Sequence, residues 1–151
     1  LIARGISRTR IWARFGQRAT PQRKPFHRQD LDDQWYRPDN GELRWPENNG
    51  FANNPVDEIL QPGTRIDRYS GFTGADDTGN FLSPQGASFE SRSLPYDPSM
   101  QQYAVYEVVE PLTVRSGSVA PHFDQSGGAI QYMTDQSVGE LVEQGILRQI
   151  Q

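Results

Sequence analysis

Tyr103-Ala104-Val105-Tyr106-Glu107-Val108-Val109 is the stretch that decides the fold. β-Branched and aromatic residues crowd it, and Pro111, which cannot donate to a ladder, ends it, so it reads as a strand. Leu112-Thr113-Val114 follows closely enough to pair nearby. Upstream, Thr64-Arg65-Ile66-Asp67-Arg68-Tyr69 alternates after a Pro62-Gly63 turn. A period of two puts Ile66 and Arg68 on one face, so Arg68 carries a buried stripe outward at the strand's end. Downstream, Ser137-Val138-Gly139-Glu140 has the form of a capping box, opening a short helix with Leu141 and Val142 inward. Gly145 closes that helix, and Ile146 to Ile150 reads as a final strand. The class predicted is α+β: one small domain with a mainly antiparallel sheet as its core, few short helices and long loops.

Composition agrees with loops around a modest core. The chain has 151 residues, 34% of them hydrophobic, with 14 glycines and 11 prolines. Trp35 to Leu60 reads as loop, its tryptophans plugging the edge of the core, and Ser70 to Gly79 reads as a flexible run leading into Asn80-Phe81-Leu82-Ser83-Pro84. With no cysteine there is neither a disulfide framework nor a Cys-based zinc site, and two histidines, His27 and His122, make no His-dominated metal site. The acid pairs Asp32-Asp33 and Asp76-Asp77 lack the alternate spacing of a calcium loop and read as solvated loop charge. No metal is therefore expected. No apolar run reaches membrane-spanning length. The first residue is Leu1 rather than Met, so the chain reads as a piece of something longer.

The net charge of −4 conceals an asymmetry. Arg4, Arg8, Arg10, Arg14, Arg18, Arg23, Lys24 and Arg28 fall in residues 1–28, which contain no acid. Residues 1–30 therefore read as a basic arm, an amphipathic helix over 1–18 followed by a linker at Thr20 to Pro25, and residues 31–151 as the domain proper. The plainer reading folds the arm back on its own acidic domain; the other has it grip nucleic acid, a membrane or an acidic partner. The acidic body itself offers no face for nucleic acid.

Ala120-Pro121-His122-Phe123-Asp124-Gln125-Ser126-Gly127-Gly128-Ala129-Ile130-Gln131-Tyr132 is the clearest site signal. The segment reads as a loop in which paired glycines let backbone approach a ligand, and the amide of Gln131 follows at once between apolar Ile130 and aromatic Tyr132. His122, alone beside a proline, reads as structural. Outside the arm every basic residue is arginine. Arg68 at its strand end and Arg92 before Ser93-Leu94-Pro95 carry the fork geometry that suits multi-oxygen anions, with surface ion pairing as the competing reading.

Five blocks then stand in order: Pro62 to Tyr69, Phe81-Leu82-Ser83-Pro84-Gln85-Gly86, Arg92-Ser93-Leu94-Pro95, Tyr103 to Val108, and Gly127 to Tyr132. Trp45-Pro46-Glu47-Asn48-Asn49-Gly50-Phe51 precedes them. This succession, over roughly residues 44–148, resembles the tuberculosis necrotizing toxin family of NAD glycohydrolases. The resemblance implies an enzyme that cleaves the nicotinamide–ribose bond of NAD or NADP as substrate, with no added cofactor. It implies Gln131 and Arg68 as catalytic residues, and Arg68, Tyr69, Phe81, Ser83 and Arg92 as substrate-binding ones, Phe81 facing the nicotinamide. It further implies the C-terminal toxin domain of a larger secreted protein, acting in a target cell's cytosol, with a cognate immunity protein as inhibitor. Asn80 departs from the Arg or Gly frequent before the aromatic, and the loop from Gly71 to Thr78 is longer than usual. The first 30 residues match nothing.

Such chemistry suits these residues. Most glycosidases need one carboxylic acid to protonate the leaving group. Nicotinamide is a cationic pyridinium before cleavage and departs neutral, so anion contacts, a stacking aromatic and an orienting amide suffice. An ADP-ribosyltransferase is the alternative enzyme, but its Glu-x-Glu pair occurs nowhere in the chain. A non-enzymatic binding module using the basic arm is the third reading.

Overall fold

The computed structural model describes residues 19–151; the amphipathic helix expected over 1–18 lies outside the described residues. Two units form. One comprises the described residues up to Lys24 together with Asp32–Arg44, the other Pro25–Leu31 together with Trp45–Gln151. In the first, Tyr36 bridges Leu43, and the Arg23 guanidinium lies 4.8 Å from the Tyr36 ring centre while pairing with Asp33.

The second unit holds the sheet. Its strands are β1 (Val56–Leu60), β2 (Arg65–Ser70), β3 (Phe81–Pro84), β4 (Gln102–Val108), β5 (Leu112–Ser118), β6 (Ile130–Met133) and β7 (Leu147–Gln149), with one helix, α1 (Val138–Glu143). They lie in the order β1-β5-β6-β3-β2-β4-β7, every neighbouring pair antiparallel. The α+β class with an antiparallel core is what the sequence predicts. Inward alternation along β2, β4 and β5 packs Ile66, Ala104, Tyr106, Val108, Leu112 and Val114 into one cluster with Val138, Leu141 and Leu147. The capping box forms as expected: Ser137 accepts from the Glu140 amide and Glu140 from the Ser137 amide.

Two strands fall where loops were expected. β1 was hidden because four of its five residues are exposed at a sheet edge, so it lacks the alternation of a half-buried strand. β6 starts two residues after Gly128, and Gln131 is a strand residue opposite Gly117 on β5 rather than part of a loop. The glycine pair, with φ of 67° and 98°, ends at the strand it feeds.

β3 sets the site. Its first residues pair with β6, Phe81 opposite Met133 and Leu82 opposite Tyr132. Its last residues pair with β2 instead, Pro84 opposite Ile66 and Ser83 opposite Asp67. Beyond that exchange, β2 continues through Arg68 to Ser70 paired with β4 alone. A seam opens between β2 and β3, and polar side chains fill it.

Candidate active site

Arg68 is the first residue of β2 past the last β3 pair. Its Nη1 donates to the Phe81 carbonyl at 2.9 Å, taking the place of a ladder donor that β2 no longer supplies there. The rest of the guanidinium faces Asp77: Nε donates to Oδ2 at 2.7 Å and Nη2 to Oδ1 at 3.2 Å. Asp77 is buried, and it also accepts from the Ser70 hydroxyl and the Gly79 amide. The expectation that Asp77 is solvated loop charge is corrected: the long loop exists to bring this carboxylate back beneath Arg68. Gly79 is required there, since a Cβ at that position would sit 1.8 Å from Arg68 Nη2.

Arg92 forms a second fork. Nη1 and Nη2 donate to the two oxygens of Asp67 at 2.6 and 2.9 Å, and Nε and Nη2 donate to the Ala87 carbonyl. Asp67 has no exposed surface. It takes further bonds from the Tyr103 hydroxyl at 2.7 Å and the Gly86 amide at 2.8 Å. Burial and the Asp67 carboxylate together push the Tyr103 hydroxyl up to about 12. The Arg92 guanidinium carbon lies 4.9 Å from the centre of the Tyr69 ring, a cation–π distance. Both arginines are thus neutralised within hydrogen-bonded pairs, and Arg92 is held as firmly as any core residue.

Gln131 has a different kind of partner. Its Nε2 donates to the carbonyl of Asn49 at 3.0 Å. Asn48, Asn49 and Gly50 all have positive φ, at 53°, 54° and 84°, a run that Asn-Asn-Gly tolerates better than most sequences. The strained turn delivers the carbonyl that orients the Gln131 amide, and strain of this kind gathers at functional sites.

These groups share one cleft of about 720 Å³. Of the residues expected in the site, Arg68, Tyr69, Phe81, Arg92 and Gln131 all line it. Ser83 is buried and lines a recess of about 40 Å³ shared with Asp67, Arg68 and Gln131. Trp45 is 54% exposed and lines the cleft too, so it does more than plug a core edge. Phe26, Tyr96, Phe72 and Met100 add to the apolar lining, and sequence reasoning missed them, along with Asp67 and Tyr103. The signal for Asp67 was its place between Ile66 and Arg68, where an acid had to point opposite to both. His122 stacks edge-on against Phe123 at 4.4 Å and does not line the cleft. Among the described residues no cluster of three His, Cys, Asp or Glu has the arrangement to hold a metal ion.

Residues 59–150 match the family described as Tuberculosis necrotizing toxin. Over 124 residues the chain is 32% identical to a protein of Aspergillus fumigatus, the conidial surface nicotinamide adenine dinucleotide glycohydrolase, covering 74% of this chain and 51% of that protein. The chain spans about half the length of the curated relative it matches. Among solved structures, tuberculosis necrotizing toxin complexed with its immunity factor aligns with a TM-score of 0.62 and 24% identity, covering 87% of this chain and 75% of that one. At that identity the likeness concerns the fold.

Proposed function

Because the chain belongs to the tuberculosis necrotizing toxin family, we propose that it hydrolyses NAD, or NADP, to nicotinamide and ADP-ribose as the toxin domain of a secreted or delivered protein. The observation that carries this reading is the convergence of Arg68, Tyr69, Phe81, Arg92 and Gln131 on one cleft from three strands and a 3-10 turn. The glycohydrolase named among its relatives supports the substrate class.

In the proposed reaction the C1′–N bond breaks and its electron pair neutralises the departing pyridinium. Water then forms the new C1′–O bond and loses a proton to solvent. No general acid is required, and none of the described residues lining the cleft is Asp or Glu. That absence of a lining carboxylate disfavours the transferase alternative. With Nε2 engaged by Asn49, the Gln131 Oε1 is left as an acceptor for a ribose hydroxyl or the attacking water. Each arginine, already paired with a carboxylate, keeps one Nη1 N–H to donate to the pyrophosphate, so it contributes a directed hydrogen bond rather than net charge. A domain that drains NAD in a target cytosol endangers its producer, so an immunity protein seated in the cleft mouth belongs to the same proposal. The solved neighbour complexed with its immunity factor supports that element.

The test is incubation of the purified chain with NAD and chromatographic separation of nicotinamide from ADP-ribose. Wild type should exhaust NAD, and folded Gln131→Ala should lose on the order of 10²–10³-fold in kcat. Undiminished NAD at high enzyme concentration overturns the proposal; a normal kcat for Gln131→Ala makes Gln131 structural.

A further inference from the structure

Resting on that reading, we infer that the cleft has a purine subsite at Phe26 and Tyr96, and that residues 25–31 are part of the active site rather than of a separate basic arm. A dinucleotide carries two flat rings. The reactive end is accounted for by Phe81 and Gln131, which stand on β3 and β6. The second ring needs an apolar surface in the same cleft, built from other elements.

Pro25–Leu31 supplies one. This segment runs antiparallel to Tyr96: His27 bridges Tyr96, the Arg28 amide donates to the Pro95 carbonyl at 2.8 Å, and the Asp97 amide donates to the Phe26 carbonyl at 2.8 Å. Arg28, only 6% exposed, locks the segment down. Its Nη1 donates to the Leu94 carbonyl at 2.6 Å and its Nη2 to the Phe123 carbonyl at 2.8 Å, while Asp30 takes the other edge. A buried guanidinium bonded to two carbonyls of distant segments is a fixed anchor, not the side chain of a mobile arm.

The anchor presents Phe26 to the cleft. Its ring centre lies 6.0 Å from that of Tyr96, yet 42% of the residue stays exposed. Met100, 53% exposed, follows on the turn Pro98–Met100, whose Met100 amide bonds the Asp97 carbonyl. An aromatic held in place yet still exposed within the cleft is a stacking surface without a stacked ring. Met100, Leu94 and Gln101, all uncharged, line the same cleft, which suits a neutral heteroaromatic base. Phe26 lies outside residues 59–150, the part matched by the family.

The experiment compares NAD with nicotinamide mononucleotide, which keeps the scissile bond and lacks the purine. Wild type should prefer NAD in kcat/KM, and Phe26→Ala should raise the KM for NAD about tenfold or more, shrinking that preference. Phe26→Tyr should restore it, and AMP should bind Phe26→Ala correspondingly more weakly by calorimetry. If circular dichroism shows Phe26→Ala unfolded, Phe26→Leu and Met100→Ala decide instead. An unchanged preference, or equal AMP affinity in wild type and variant, overturns the subsite. No nicotinamide release by wild type from either substrate overturns the glycohydrolase reading itself, a separate outcome.

Discussion

At the scale of single residues, the notable economy is that each cleft arginine is matched to its own buried aspartate. Removing one member of a buried pair costs more than the pair contributes, because the partner's charge is left desolvated. Asp67→Asn keeps the shape and cancels the charge facing Arg92, and it should destabilise the fold by about 3 kcal/mol. Urea unfolding would measure it, and a loss under about 1 kcal/mol would mean that water reaches Arg92. Arg92→Ala strands Asp67 in the same way, so any rise in its KM must be read beside its unfolding midpoint. Tyr103 adds a pH signature. Its hydroxyl is raised to about 12 in the fold against an ordinary value of about 10, so below pH 10 both states hold the proton and stability is fully present. Between pH 10 and 12 the unfolded chain loses that proton while the folded one keeps it, and stability falls as pH rises. Tyr36, Tyr96, Tyr106 and Tyr132 are raised as well, chiefly by burial, and act in the same direction. Denaturation midpoints at pH 9 and pH 11.5 should differ for wild type, and by less for Tyr103→Phe.

At the scale of elements, β3 decides where a site can exist, because its change of partner opens the seam that Arg68 spans. Gly79 is the hinge of that arrangement. A methyl group there displaces the guanidinium from Asp77 and Phe81, but it meets only the end of a side chain, not backbone. Gly79→Ala should therefore stay folded while nicotinamide release falls on the order of 10²-fold, as expected when a positioned group moves by about 1 Å. A variant with full activity would show that Arg68 need not hold this position. Gly139 is the contrasting case: its Cβ would meet the Ala75 carbonyl at 2.4 Å, so substitution there attacks the packing of α1 itself. The strands β2, β4 and β5 and the capping box were legible because each follows a local rule, alternation or capping. β1 and β6 were not, because an exposed edge and a preceding glycine pair erase the local signal while pairing across the sheet supplies the strand. The same division holds for the site. Arg68, Phe81, Arg92 and Gln131, which all line the cleft, were singled out by residue type and by the order of their blocks. Asp67 and Asp77 are fixed by ion pairs with arginines 25 and nine residues away, and Phe26 enters the cleft from outside the recognised blocks, so no spacing rule announces them.

At the scale of the whole molecule, charge opposes the proposed substrate. Residues 25–151 hold eight arginines and 19 carboxylates, a net charge of −11, against −4 for the entire chain. The cleft does not reverse this locally, since Arg68 and Arg92 are each paired with an aspartate. An anionic dinucleotide approaching such a body is repelled, and salt screens repulsion as it screens attraction: the Debye length shrinks from about 30 Å at 0.01 M to about 8 Å at 0.15 M. For a fragment of residues 25–151, which keeps every described residue of the cleft, kcat/KM for NAD should rise with ionic strength over that range. The full chain, with its added basic residues, should show a shallower rise. The measurement needs substrate well below KM, so that encounter and binding dominate the rate. A kcat/KM that falls with salt would mean that the arginines act on the pyrophosphate as net positive charge, and that pairing with Asp67 and Asp77 gives way when substrate enters.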